Sequence, residues 1–218
     1  MMSAIFRAER LRLIGSINHW LTALLFFVLA LVCYSLMLSN APQALSLSSS
    51  AAVWVAGIFS ILLSTNRLFE RDHEQGLIDQ LRVAGVSLTG WVMIRLGLHW
   101  LVSGGCLVIL SPLAGIFMGL SAIQTLWLAG SLLLGTPVVV LFAALAEGLS
   151  LSAQQSAAFA PLIALPLCLP VLLFSAGMLD QVGSGAARQP VLLLLALLIL
   201  SIATLPWTIA VSLKLSSS

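Results

Sequence analysis

Residues 66–91 read NRLFERDHEQGLIDQLRVAGVSLTGW and separate two long apolar parts of the chain. This stretch, called the island below, holds seven of the sixteen Asp, Glu, Lys and Arg residues in the sequence: Arg67, Glu70, Arg71, Asp72, Glu74, Asp79 and Arg82. An ionised side chain at the centre of a bilayer costs about 3 kcal/mol or more. The island is therefore predicted to lie in water on one side of a membrane, between hydrophobic spans.

The composition of the 218-residue chain is that of a membrane protein, with 61% hydrophobic residues, 7% charged residues and a mean hydropathy of +1.14. Soluble domains carry about 25% charged residues. Backbone exposed to lipid must satisfy its own hydrogen bonds, and apolar runs of about 20 residues suit helices rather than barrel strands. The sequence predicts an all-α integral membrane protein, a single domain over residues 1–218 with six transmembrane helices. The predicted spans are residues 20–39, 51–65, 91–119, 124–146, 157–179 and 191–213, and an alternative start for the second span is Leu45.

Several residues at the ends of these spans carry specific expectations. Residues 40–50 are polar and are predicted to form an external loop. Pro112 is predicted to kink or break the third span, and the three prolines of the fifth span to bend or interrupt it. Glu147 is predicted to end the fourth span, and Arg95 to reach the lipid headgroups from the start of the third.

The Lys and Arg residues are concentrated on one side of the predicted membrane. Six spans put both chain ends and the island on the same side. That side collects Arg7, Arg10, Arg12, Arg67, Arg71, Arg82 and Lys214, with Arg95 at its edge. The opposite side holds Arg188 alone. Because cytoplasmic loops carry an excess of Lys and Arg, both termini and the island are predicted to be cytoplasmic.

The island combines an acidic turn with an apolar helical face. Leu77, Ile78 and Leu81 fall on one side of a helix, with the neighbouring charged residues turned away. Gly76 separates this face from the charged turn before it. One interpretation is a short amphipathic helix that lies along the membrane surface and docks on a cytoplasmic partner. The other is a solvated loop whose charges only fix the topology.

An acidic turn, a glycine and a Leu-rich half turn directly after a span resemble the first cytoplasmic loop of ABC-2 transporter membrane subunits. Within that class, the size, the number of spans and four strings are similar to the cytochrome c maturation permease B family, also called haem exporter protein B. The strings are Arg67-Leu68-Phe69, His99-Trp100, Leu110-Ser111-Pro112-Leu113 and Leu133-Leu134-Gly135-Thr136-Pro137. The likeness covers residues 66–180. It departs at residues 83–87, VAGVS, where many relatives are proline-rich.

This resemblance implies a permease subunit of an ABC transporter complex for c-type cytochrome biogenesis in the bacterial inner membrane. The implied partners are an ABC ATP-binding subunit, a haem-handling membrane subunit, a small single-span subunit and a periplasmic haem chaperone. ATP would belong to the partner subunit and haem would be cargo of the complex, with no cofactor on this chain. The implied coupling contacts with the ATPase are Glu70, Arg71, Asp72, Glu74, Gly76, Leu77, Ile78 and Leu81.

Five further polar residues each have two interpretations. Glu147 is either a second contact with the ATPase or the end of a span. Arg95 and His99 share a helix face, either as a haem ligand with a propionate-pairing arginine or as a polar pair at the membrane surface. Asp180 and Arg188 are either periplasmic contacts or ordinary loop charges.

Three other functions stay open from the sequence. The first is an ABC-2 exporter permease for a lipid, a glycan or a drug, and the second is a membrane haem-binding or redox protein that uses His99. The third is a scaffold that binds partners without ATP-coupled motion. The chain is not predicted to be an enzyme, since it contains no GxxxxGK[ST] motif, and its three cysteines form no CxxC. No metal site, catalytic residue or nucleic-acid partner is predicted, and membrane lipid surrounds the spans.

Overall fold

The computed structural model describes residues 17–153, 159–181 and 188–216, and every regular element there is helical. The helices are α1 Ile17–Met37, α2 Pro42–Thr65, α3 Glu70–Glu74, α4 Leu77–Val83, α5 Leu88–Val102, α6 Gly104–Ile109, α7 Ser111–Phe117, α8 Ala122–Ser152, α9 Phe159–Asp180 and α10 Arg188–Ser216. Within the described residues, six segments are long and apolar enough to cross a membrane: Trp20–Met37, Gln43–Glu74, Leu88–Phe117, Ala122–Ser152, Phe159–Leu179 and Arg188–Ser216. The predicted all-α, six-span architecture is confirmed to this extent, and Arg7, Arg10 and Arg12 lie outside the described residues.

The second span begins earlier than predicted. α2 starts at Pro42, so the predicted external loop over residues 40–50 is wrong for most of its length. Proline is well suited to the first turn of a helix, where its missing N–H leaves no bond unmade. The hydroxyls of Ser46, Ser48 and Ser49 donate to carbonyls three or four residues earlier, at 2.5–3.0 Å. Because these serines bond to their own helix, a polar sequence forms the start of the span.

The third span is divided into three helices. The predicted break at Pro112 is confirmed, because proline lies in the first turn of α7 and the preceding helix ends at Ile109. A second break at Ser103, between α5 and α6, was not predicted. A Cβ atom on the next residue, Gly104, would meet the side chains of Trp100 and Thr136. The break therefore lies beside Thr136 of α8, where Gly104 leaves no space for a side chain.

α8 is the central helix of the bundle. It is 31 residues long, its hydrophobic part is the most buried of the six spans, and it packs against α2, α5, α6, α7, α9 and α10. Its start is fixed by a capping box, in which Ser121 and Gln124 bond each other's backbone N–H. The fifth span, α9, runs without interruption through Pro166 and Pro170, so the interruption is wrong and the bend, which was the alternative, stays a prediction.

Two indole groups, one buried and one half-buried, attach neighbouring spans to α8. Trp54 of α2 donates from Nε1 to the Ser131 hydroxyl at 3.2 Å, and Trp100 of α5 donates to the Thr136 hydroxyl at 2.9 Å. Gly135 lies between these two contacts, and a Cβ atom there would collide with the Trp54 ring. The glycine therefore allows the tryptophan to lie directly against the α8 backbone.

We expect Gly135→Ala to lower the free energy of unfolding by about 1–3 kcal/mol, because the added methyl group has no space beside Trp54. Gly130→Ala in the same helix is the matched control, since a Cβ atom there has no neighbour within 4 Å. Thermal unfolding of the detergent-purified proteins compares the two. Equal melting temperatures for both variants would contradict this packing.

Candidate functional site

The island folds into two short helices joined at a glycine. α3 and α4 flank Gly76, which has φ of 64° and ψ of 20°. This left-handed conformation costs a residue with a Cβ atom about 1–2 kcal/mol, and glycine avoids that cost. The predicted break at Gly76 and the predicted helix that carries Leu77, Ile78 and Leu81 are both present.

The apolar face of α4 is turned toward the bundle. Ile78 is 1% exposed, and Leu77 and Leu81 are half-buried against the hydrophobic core. Asp79 and Arg82 on the opposite face are exposed and lie 3.6 Å apart. Ile78 therefore offers no surface to a partner, contrary to its predicted role as a direct contact residue. It fixes α4 to the spans instead.

Asp72 and Arg95 form a buried ion pair between the island and the third span. The shortest distance is 2.5 Å, from Arg95 Nη2 to Asp72 Oδ2, and the side chains are only 12% and 4% exposed. The same nitrogen donates to the Leu68 carbonyl at 2.6 Å, and the guanidinium lies over the rings of Phe69 and Trp91. The expectation that Arg95 reaches toward headgroups is wrong, because its guanidinium is paired with Asp72 inside the protein. Asp72 is likewise not available to a partner.

Glu147 makes the second connection to the island. The expectation that it ends the fourth span is wrong, since α8 continues to Ser152 and the side chain is 2% exposed. Its Oε1 accepts the backbone N–H of Phe69 at 2.8 Å. In this conformation the Glu147 side chain is buried and offers almost no surface for its predicted contact with an ATPase. The carboxyl group also borders a small crevice with Leu62, Thr65, Asn66, Ala143, Ala160 and Pro161.

His99 joins the second and third spans. The hydroxyls of Ser64 and Thr65 both donate to the Ile61 carbonyl, so each can only accept from the ring nitrogen Nε2, at 3.4 and 3.2 Å. The ring is therefore assigned a proton on Nε2. Trp20 lies edge-on to it at 5.6 Å between ring centroids. His99 is 1% exposed, and it shares a helix with Arg95 as predicted.

The remaining predicted coupling residues lie on the outer surface of the island. Arg71 and Glu74 are exposed, and Glu70 is partly exposed and paired with Arg67 at 3.3 Å. His73 Nδ1 lies 3.4 Å from the Ser216 hydroxyl at the end of α10. We call Glu70, Arg71, Glu74, Asp79 and Arg82 the outer face of the island. It is mixed in charge and continues toward the last turn of α10.

Asp180 and Arg188 lie at the opposite end of the bundle. The start of α9 contributes Ala160 and Pro161 to the crevice beside Glu147, so the end of α9 at Asp180 is remote from the island. α10 begins at Arg188, which is exposed, and ends at Ser216 beside His73. Residues 182–187 between these two helices are outside the described part of the chain.

Two residues without a predicted role complete this site. Phe69 is fully buried against Trp91, with ring centroids 6.0 Å apart, and Thr65 holds His99. Their only signals in the sequence were the string Arg67-Leu68-Phe69 and the position of Thr65 at the end of the predicted second span. The described part of the chain contains no group of three or more His, Cys, Asp and Glu residues that could hold a metal ion.

The fold and the site define a multi-pass helical membrane protein with a charged amphipathic segment docked against its spans. The family model described as CcmB protein matches residues 1–216, and the chain belongs to this family. It is 36% identical to Heme exporter protein B of Pseudomonas aeruginosa over 194 residues, which are 88% of this chain and 87% of that protein. It is 32% identical to Heme exporter protein B of Haemophilus influenzae, over 90% and 89% of the two chains. The Escherichia coli K12 protein of the same name is 30% identical over 88% and 87%.

We expect Arg95→Met to lower the free energy of unfolding by about 3–5 kcal/mol, because Asp72 stays buried without its arginine. The double variant Asp72→Leu/Arg95→Met should recover much of this loss. Arg82→Met is the matched control, since the exposed Asp79–Arg82 pair is worth about 0–1 kcal/mol. Unfolding in detergent measures all three, together with the single variant Asp72→Leu. A double variant as unstable as the sum of its single variants would contradict a coupled pair.

We expect no haem absorption band that depends on His99, because Nε2 is bonded to Thr65 and the ring is covered by Trp20. The purified chain and His99→Phe would be titrated with haemin and compared by absorption spectroscopy. A Soret band that is present in the original chain and lost in the variant would support the membrane haem-binding alternative instead.

Proposed function

We propose that the chain is the permease subunit of an ABC transporter complex for c-type cytochrome biogenesis. It couples ATP hydrolysis in a partner subunit to haem delivery, or to release of haem-loaded chaperone, at the periplasmic side. The observation that carries this proposal is the match of the CcmB family model to residues 1–216, with relatives named Heme exporter protein B over nearly the same length. The sequence has no phosphate-binding motif, so the ATPase belongs to another subunit.

The orientation follows from charge. The island end of the bundle carries Arg67, Arg71, Arg82, Arg95 and Lys214, and the opposite end carries Arg188. Contacts support a common side for the described chain ends, since Ser216 lies beside His73 and Trp20 beside His99. By the excess of Lys and Arg in cytoplasmic segments, the island and both termini face the cytoplasm of the bacterial inner membrane.

The outer face of the island is the docking surface for the ATP-binding subunit. Its exposed Arg71 and Glu74 present both signs of charge, which favours a specific orientation of the partner over a tight non-specific contact. Gly76 sets the angle between α3 and α4, and Leu77 and Leu81 add partly exposed apolar area. Asp72 and Ile78 act from inside by holding this surface in place.

The other partners contact the rest of the molecule. Asp180 and Arg188, at the periplasmic end, are the candidate contacts for the haem chaperone or the haem-handling membrane subunit. Exposed apolar side chains along the spans face lipid, the haem-handling subunit and the small single-span subunit. Closure of the ATP-binding subunits pushes on the island, and the Asp72–Arg95 pair passes this movement to the third span.

We expect cells that lack this gene to lose the covalent-haem stain of c-type cytochromes, and a normal copy to restore it. An inserted Glu74→Ala protein should restore at least about fivefold less stain, because an exposed contact with the ATPase is removed. Gln43 is an exposed polar residue at the start of α2, the end of that helix remote from the island. Gln43→Ala is therefore the matched control and should restore the stain fully.

Each outcome of this experiment has a distinct meaning. An unchanged stain on deletion would contradict the role in cytochrome maturation and favour the general exporter. Full restoration by Glu74→Ala would contradict the proposed docking surface while leaving the family role intact.

A further inference from the structure

The contact between Glu147 and the island joins parts of the chain that are far apart in sequence. The carboxyl group belongs to α8, and the N–H that it accepts belongs to Phe69, 78 residues earlier. Phe69 precedes the first turn of α3, and its ring is fully buried. On the island side, the hydrogen bond therefore ends on the backbone. A displacement of the island moves this N–H directly, because no rotating side chain of the island lies between them.

α8 is the helix through which such a displacement would reach the rest of the bundle. It contacts the second, third, fifth and sixth spans, and Trp54 and Trp100 attach two of these spans by hydrogen bonds. The Asp72–Arg95 pair connects the island only to the third span. Glu147 connects the island directly to the central helix.

We propose that Glu147 is a positioning residue that transmits movement of the island to α8. This inference rests on the proposed function, in which the island receives the force of ATP hydrolysis. A rigid link needs an oxygen acceptor at the right reach beside the Phe69 N–H. Such a link does not need an acid at the protein surface. The role proposed for Glu147 is therefore different from direct contact with the ATPase.

Four variants separate reach, charge and packing. Glu147→Gln keeps the length and an acceptor oxygen but has no charge. Glu147→Asp keeps the acid but is one methylene shorter, and Glu147→Met keeps the volume but has no strong acceptor. Leu149→Met, a lipid-facing residue in the same helix, is the matched control.

Each variant would be introduced into cells that lack the gene, and the whole complex purified with its ATP-binding subunit. The measurements are the amount of inserted chain, co-purification of the ATP-binding subunit, ATP hydrolysis by the complex and the covalent-haem stain. We expect the Gln variant and the Leu149→Met control to behave as the original chain does. The Asp and Met variants should hydrolyse ATP in an assembled complex but lose stain by at least about fivefold.

Three results would overturn the inference. The first is a normal stain in the Asp and Met variants. The second is a loss of stain that follows loss of insertion or assembly in every affected variant, which would make Glu147 only a structural residue. The third is rescue by Asp but not by Gln, which would show that charge rather than reach matters. Failure of the proposed function is recognised separately, because the stain would then survive deletion of the gene.

Discussion

The ion pair between Asp72 and Arg95 is the interaction on which the position of the island depends. Two charges removed from water stabilise a structure only when their geometry is good and their other bonds are made. Here the guanidinium also donates to the Leu68 carbonyl and lies over Phe69 and Trp91. The pair holds the start of the island against the third span. Phe69 can then bury its ring and donate its N–H to Glu147.

This docking divides the island into two surfaces with different tasks. Asp72 and Ile78 face the spans and are buried, whereas Arg71 and Glu74 face outward. A partner that binds the outward residues acts on a segment that is already fixed from within. The inward contacts reach the third span and the central helix. A partner bound to the outward residues would therefore act on the bundle through the buried side chains Asp72 and Ile78.

Features that depend on neighbouring residues were predictable from the sequence, and features that depend on distant partners were not. The six spans follow from apolar runs, and the break at Gly76 follows from the conformational freedom of glycine. Glu147 was predicted to end a helix because a carboxyl group after an apolar run usually marks the membrane edge. Its partner is a backbone N–H far away in the chain, and every residue except proline carries one. Asp72 is the acid of the charged turn that faces inward. Its orientation likewise depends on a distant partner, Arg95 of α5.

The length of α8 has a consequence for the depth at which these contacts form. A helix of 31 residues is about 46 Å long at 1.5 Å per residue, whereas the hydrocarbon layer is about 30 Å thick. Tilt takes up part of this difference, and the rest of α8 extends beyond the hydrocarbon layer. Glu147 lies five residues before the end of α8, about 8 Å along the helix axis. The extra length allows the central helix to reach the island with residues that are not needed to cross the hydrocarbon layer.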